Sequence, residues 1–421
     1  MTLAYLIIIL VVFQLFFYVG RLLKHDGIYI DYWLLSILTT ILPCLLVYPY
    51  AGDEGNIAAV GDSLYDIKKY LSEAFGIVVI GYFSMWMGKC IYDRFVSSRG
   101  LSKFDKKVYF VISSSKCRKM LVLLYAPFIL IIFCIGIINL GSDIRVIAGR
   151  SSLLRIVYNI ASTTYPMFMS IILAFYFQTK NHRYLLWLFF MFGLSLLFSA
   201  RSLSFGVWMN AFLFYVITKG KNIKLMKIIL AFCLIISGVF WLGFFRNGEV
   251  FSLKKMYFDV IYGNTFSDIR DFAWILSGWD HELLLGKTYF SGLMSFIPSS
   301  FWDFRAEWSW GHISCKLAGL IIDDDSFHGG LRGTIFAEPY LNFGYIGVII
   351  FSNIYGFYLE KINRQVKRFI KEGNFIYAYS SMFKSSFLFL IMISAASFKL
   401  YSVLLPILLL YEIKHKKHDI R

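Results

Sequence analysis

The chain has 421 residues, of which 58% are apolar and 16% charged, against roughly 45–50% and 25% in ordinary soluble proteins. That excludes a water-soluble globule. The formal charge of +16 does not call for nucleic acid, because basic residues also orient a chain in an anionic membrane.

Uncharged runs such as 3–20, 121–141 and 228–245 approach or reach the ~20 residues that cross hydrocarbon. The first run lacks a basic flank and a small-residue cleavage site, so a retained helix is expected and not a signal peptide. Taken in order, spans are expected near 2–20, 30–50, 71–92, 120–141, 157–178, 184–200, 203–217, 228–245, 334–358, 376–394 and 398–413. The fold class is therefore an all-α polytopic membrane protein of about eleven helices, with 1–421 as a single membrane domain. No internal repeat or low-complexity stretch is evident.

Loop charge orients this arrangement, because cytoplasmic loops collect Lys and Arg. One set of connections, including 93–119, 218–227, 360–374 and the tail 414–421, carries 25 basic and 8 acidic residues; the other carries 15 basic and 18 acidic. An odd number of spans with a basic tail puts the N-terminus outside and the C-terminus in the cytoplasm. Lys384 in the tenth span makes the last two spans the least certain in depth, and a segment from Asn374 lying partly in the interface is the alternative. The six cysteines show no disulfide framework and no zinc spacing.

Residues 246–333 form one long external loop, far beyond the two to eight residues that join adjacent helices. It holds five of the ten tryptophans. Trp302, Trp308 and Trp310 offer flat apolar platforms with polar edges, suited to sugar rings; an interfacial aromatic belt is the competing explanation. The segment from Phe251 to Ile261 alternates Lys254, Lys255 and Asp259 with apolar residues, as a helix lying on the membrane does.

Arginines mark the outer mouth. Arg201 lies in a turn between two short spans and so below the outer surface, where it needs a watery cavity or an anionic partner. Arg246 ends the eighth span, and Arg332 precedes the ninth. Guanidinium groups stay charged and bind phosphate oxygens in pairs, so three of them suit a diphosphate. Snorkelling for Arg201 and topological anchoring for Arg246 are the bland alternatives.

The segment from His328 to Gly333 surrounds Arg332 with glycines just before a helix, a pattern that can turn amides toward an anion. Glu338 precedes Pro339 and is either a helix cap or a catalytic carboxylate. His312 sits among tryptophans as a structural or a catalytic imidazole. The acidic groups Asp323 to Asp325 and Asp53, Glu54 and Asp62 read either as solvated turns or as cation ligands.

The stretch from Gly333 to Gly347, with its core Tyr340-Leu341-Asn342-Phe343-Gly344-Tyr345-Ile346-Gly347, resembles the region after the large external loop in bacterial O-antigen and capsule repeat-unit polymerases of the Wzy type. The Ser199-Ala200-Arg201-Ser202 turn, the length and the single dominant external loop are similar as well. The resemblance implies a GT-C-like architecture and an inverting glycosyltransferase without metal or other cofactor. Such an enzyme joins undecaprenyl-diphosphate-linked oligosaccharide repeat units into polysaccharide at the outer face of the membrane. It also implies that Arg201, Arg246 and Arg332 grip the diphosphate, and that a chain-length regulator and a flippase are partners beside the lipids.

For the general base Glu338, His328 and His312 compete, with Glu338 and His328 favoured because they flank Arg332. A lipid-linked oligosaccharide flippase is the rival from another class, and should line a central pathway with its charges. An O-antigen ligase-like transferase differs only in acceptor.

Overall fold

The computed structural model describes residues 2–95, 103–139, 144–149, 151–195, 201–246, 252–297, 301–320 and 330–419. These residues form helices and turns, with no strand among them. Five segments are long and apolar enough to cross a membrane: Thr2–His25, Tyr32–Tyr50, Glu54–Phe95, Ser115–Ile138 and Leu153–Thr179. The protein is thus an all-α protein with membrane-spanning helices. The other expected spans fall on helices outside these five, among them His182–Ser195, Arg201–Lys219, Leu225–Arg246 and Phe375–Leu388.

The first helix shows why the chain needs lipid. Its buried residues Ala4, Ile8, Val11, Leu15, Tyr18 and Leu22 recur at helical spacing and make one narrow stripe. Outside that stripe Phe13, Phe16 and Phe17 are 71%, 72% and 64% exposed, a surface that only hydrocarbon covers favourably.

Two long helices form the centre, Leu64–Phe95 and Ala337–Lys371. Their backbones touch through glycine. A Cβ on Gly88 would lie 2.1 Å from the Asn353 carbonyl oxygen, and one on Gly356 would lie 2.1 Å from that of Met85. Small residues at such crossings let membrane helices approach closely, because van der Waals packing must do what the hydrophobic effect does in water. The expected loop 360–374 is helical as far as Lys371, and the expected loop 93–119 contains the helix Lys103–Ser113.

A lysine inside this bundle is paired. Lys384 meets Asp105 at 2.6 Å and Gln365 at 2.7 Å. That pairing explains how a lysine sits in the middle of the Phe375–Leu388 helix, since a buried charge requires a partner.

Ala337–Lys371 is kinked at Gly344, with φ 63° and ψ −156°. There the expected span 334–358 breaks. A left-handed φ costs an L-residue about 1–2 kcal/mol and glycine much less. The break frees carbonyls that a straight helix would use, and amides of the long loop take them: Leu284 N donates to Leu341 O at 2.9 Å and Leu285 N to Asn342 O at 3.1 Å.

Candidate functional site

The 252–336 segment is built of short helices rather than open loop. Leu253–Ile261 buries no residue, in keeping with a helix on a membrane surface. Asp268–Ser277 is the opposite, buried from Ile269 to Leu276 and packed on the Leu64–Phe95 helix. Its first turn carries Asp268, Arg270 and Asp271, and these organise the site.

Arg270 is 3% exposed and fully used. Its guanidinium donates to Asp271 Oδ1 at 3.0 and 3.2 Å, to Asn56 Oδ1 at 3.0 Å, to the Tyr262 carbonyl at 3.1 Å and to Asn264 Oδ1 at 2.8 Å. Ser267 Oγ donates to Asp271 Oδ2 at 2.8 Å. This buried pair joins the 48–63 connection to the long segment. Its hydrogen bonds satisfy both charges, which is the condition for burying them.

Arg332 stands beside it. Its side chain is 56% accessible, its Nε lies 3.9 Å from Asp268 Oδ1, and its guanidinium donates to the Asn264 carbonyl. Asp268 Oδ1 is shielded from solvent with no hydrogen-bond partner. Burial pushes the Asp268 carboxyl up to about 7; Arg332 draws it down and Asp271 draws it up, each less strongly. A cation that reaches solvent therefore adjoins a carboxyl poised to exchange a proton near neutral pH.

Glu338 is not at that place. It is 2% exposed, and its Oε2 accepts from Ser394 N at 2.8 Å. It caps no helix: Phe336 occupies the cap position of its own helix, and the carboxylate ties that helix to the turn at 394–397. Next to it Asn342 Nδ2 donates to Thr288 Oγ1 at 2.9 Å and to the Glu338 carbonyl at 2.8 Å, while its Oδ1 accepts from Gly286 N at 3.0 Å. Tyr340 Oη donates to Glu73 Oε1 at 2.8 Å. The Tyr340 to Gly347 stretch thus builds the seat on which the 282–288 turn docks.

Gly330 and Gly333 beside Arg332 serve close packing. Gly330 has φ 81°, and a Cβ there would lie 2.7 Å from Gly311 Cα. The Leu331 amide is taken by Ser314 Oγ at 3.1 Å, so that amide is not aimed at an anion. Trp310 Nε1 donates to the Leu331 carbonyl at 3.2 Å and pins the irregular stretch that presents Arg332.

Trp302 and Trp308 pack around Phe290, with centroid distances of 5.6 and 6.2 Å. Neighbouring Phe301 and Phe296 are 83% and 56% exposed, an apolar rim of the kind found at headgroup depth. His312 is half-buried in the first turn of Trp310–Leu317, where its amide donates to the capping Ser309 Oγ at 3.3 Å.

Arg201 and Arg246 are the first residue of one helix and the last of another. Those helices pack on each other and are joined by a short turn, so the two arginines stand at the same end of a hairpin; their side chains lie outside the described residues. His328 and the acids at 323–325 lie outside them too. Among the described residues no group of three His, Cys, Asp or Glu could hold a metal ion, and all six cysteines are free. No family profile, characterised protein or solved structure matches the chain.

The site residue missed by the sequence reading is Asp268. The signal was available: Ser267 to Trp274 reads as a polar cap, acids in a first turn and then apolar residues, a helix start inside what was taken for loop.

Proposed function

We propose that the chain is a repeat-unit polymerase of the Wzy type, spanning the bacterial inner membrane about eleven times with a GT-C-like fold, its N-terminus outside and its C-terminus in the cytoplasm. It joins undecaprenyl-diphosphate-linked oligosaccharides into O-antigen or capsular polysaccharide. The observation that carries this reading is the accessible Arg332 beside the Asp268 carboxyl near pKa 7.

Arg332, with Arg201 and Arg246, holds the diphosphate. Guanidinium groups aimed at the diphosphate stabilise the charge that develops as the bond from the sugar anomeric carbon to the diphosphate oxygen breaks. The acceptor hydroxyl attacks that carbon from the opposite face, and its proton passes to Asp268. Asp268 takes this role ahead of Glu338, which is buried and held by Ser394 N.

The test uses purified protein in detergent with lipid-linked repeat units and EDTA. Elongated glycan is the expected product, because a flippase needs a sealed compartment and yields none. Unchanged repeat units, in preparations whose thermal unfolding shows them folded, would overturn the proposal.

A further inference from the structure

At the other end of the central helices lies a cleft of about 640 Å³, within the ~300–1,000 Å³ of small-molecule sites. It opens between the last turns of Thr2–His25, the end of Leu64–Phe95 and the C-terminal half of Ala337–Lys371. Its lining holds six cations, Arg21, Lys89, Arg364, Lys367, Arg368 and Lys371, against the three acids Asp26, Asp93 and Glu360, with His25 in addition.

The floor is organised by pairing. Lys89 lies 3.0 Å from Asp93 and 3.3 Å from Glu360, and Lys367 lies 2.9 Å from Asp26 and 3.5 Å from the fully buried Asp31. Arg21 on the rim is exposed and has no ion pair among the described residues. Charge that compensates helix C-termini would explain single basic residues in last turns, but not six cations converging on one open cavity, which five acids, counting Asp31 and Glu372 behind the lining, do not fully balance.

Depth gives the ligand's nature. Arg21 is where the uncharged run of the first helix ends, and Tyr18 and Trp86 line the cleft beside it, as amphipathic rings do at headgroup level. The first helix turns exposed Phe16 and Phe17 outward next to this opening, leaving room for acyl chains along it.

We infer that this cleft binds a phosphate-bearing anion, with Arg21 as a ligand at the rim and with Arg368, whose Nε lies 3.6 Å from Glu372, turning its guanidinium to the same anion. The inference is independent of the polymerase reading, and its test reads no polymer. Thermal unfolding of the full chain in neutral detergent is followed during titration with phosphatidylglycerol, with phosphatidylcholine, and separately with inorganic pyrophosphate.

Phosphatidylglycerol raises the midpoint in a saturable way and phosphatidylcholine does not. In the double variant Arg21→Ala/Arg368→Ala half-saturation needs about thirtyfold more lipid, at ~1 kcal/mol for each basic residue near an anionic headgroup and 1.4 kcal/mol per decade. Lys24→Ala/Lys227→Ala, which removes the same charge outside the cleft, leaves the titration unchanged. Saturable stabilisation by pyrophosphate instead, lost in the same double variant, supports the site with a soluble phosphate as its source. Equal losses in both double variants, or no stabilisation by either phosphate, would overturn it.

Discussion

Asp268→Asn tests the carboxyl beside Arg332. In the folded chain this group titrates near 7, against 3.8 for an ordinary aspartate, and burial is the main reason. Between those values the folded protein keeps a proton that the unfolded chain has released. Its contribution to stability is therefore complete below about pH 4 and is lost as pH rises through 7. A three-unit shift corresponds to ~4 kcal/mol at 1.36 kcal/mol per unit. The side chain is 32% accessible, and solvent screening lowers this to about 1–3 kcal/mol.

Asparagine has the same shape and does not titrate. The expected result is an unfolding midpoint, read by tryptophan fluorescence in detergent, that falls by a few degrees between pH 5 and 8 in the parent and by less in Asp268→Asn. Parallel curves for the two proteins would refute the perturbed carboxyl. The same variant should make no polymer at any pH. Normal chain-length ladders with a flattened pH curve would retain the carboxyl's environment and remove it as the base.

Arg332→Ala should abolish polymer while shifting the unfolding midpoint by no more than about a degree, since an exposed pair at 3.9 Å contributes roughly 0–1 kcal/mol. Arg270→Met acts in the reverse sense: it strands Asp271 in the interior and should cost about 3–5 kcal/mol, detected as rapid proteolysis within 252–336. Gly344→Ala forces a left-handed φ on an L-residue and should cost about 1–2 kcal/mol, seen as a lower midpoint. Lys384→Met removes the ammonium group beside the buried Asp105 and lowers expression, whereas the pair Lys384→Met/Asp105→Leu restores it, because removing both buried charges is far less costly than removing one.

The membrane class and the helices were legible because 18-residue apolar runs have one physical solution in lipid. Lengths were less so. Charges such as Glu360 and Arg364 look like loop when read singly, yet they pair along one face of a continuing helix at 3.0 Å, a spacing of four residues that favours helix. The site was half legible. Arg332 was found because an arginine between glycines at a helix start is conspicuous, but its neighbour Asp268 is 64 positions away in sequence, and only the packing of Asp268–Ser277 on the central helix brings them together. Glu338 drew notice beside proline, and its burial follows from a contact with Ser394 that no local pattern encodes.

The swap of hydrogen bonds at Gly344 has a mechanical meaning. Two amides of the 282–286 turn complete a helix they do not belong to, so neither part is finished without the other. Lengthening the chain between Trp279 and Gly286 would pull those amides out of register and reopen the interrupted helix, making this short stretch a stiff joint between the 252–297 helices and the long Ala337–Lys371 helix.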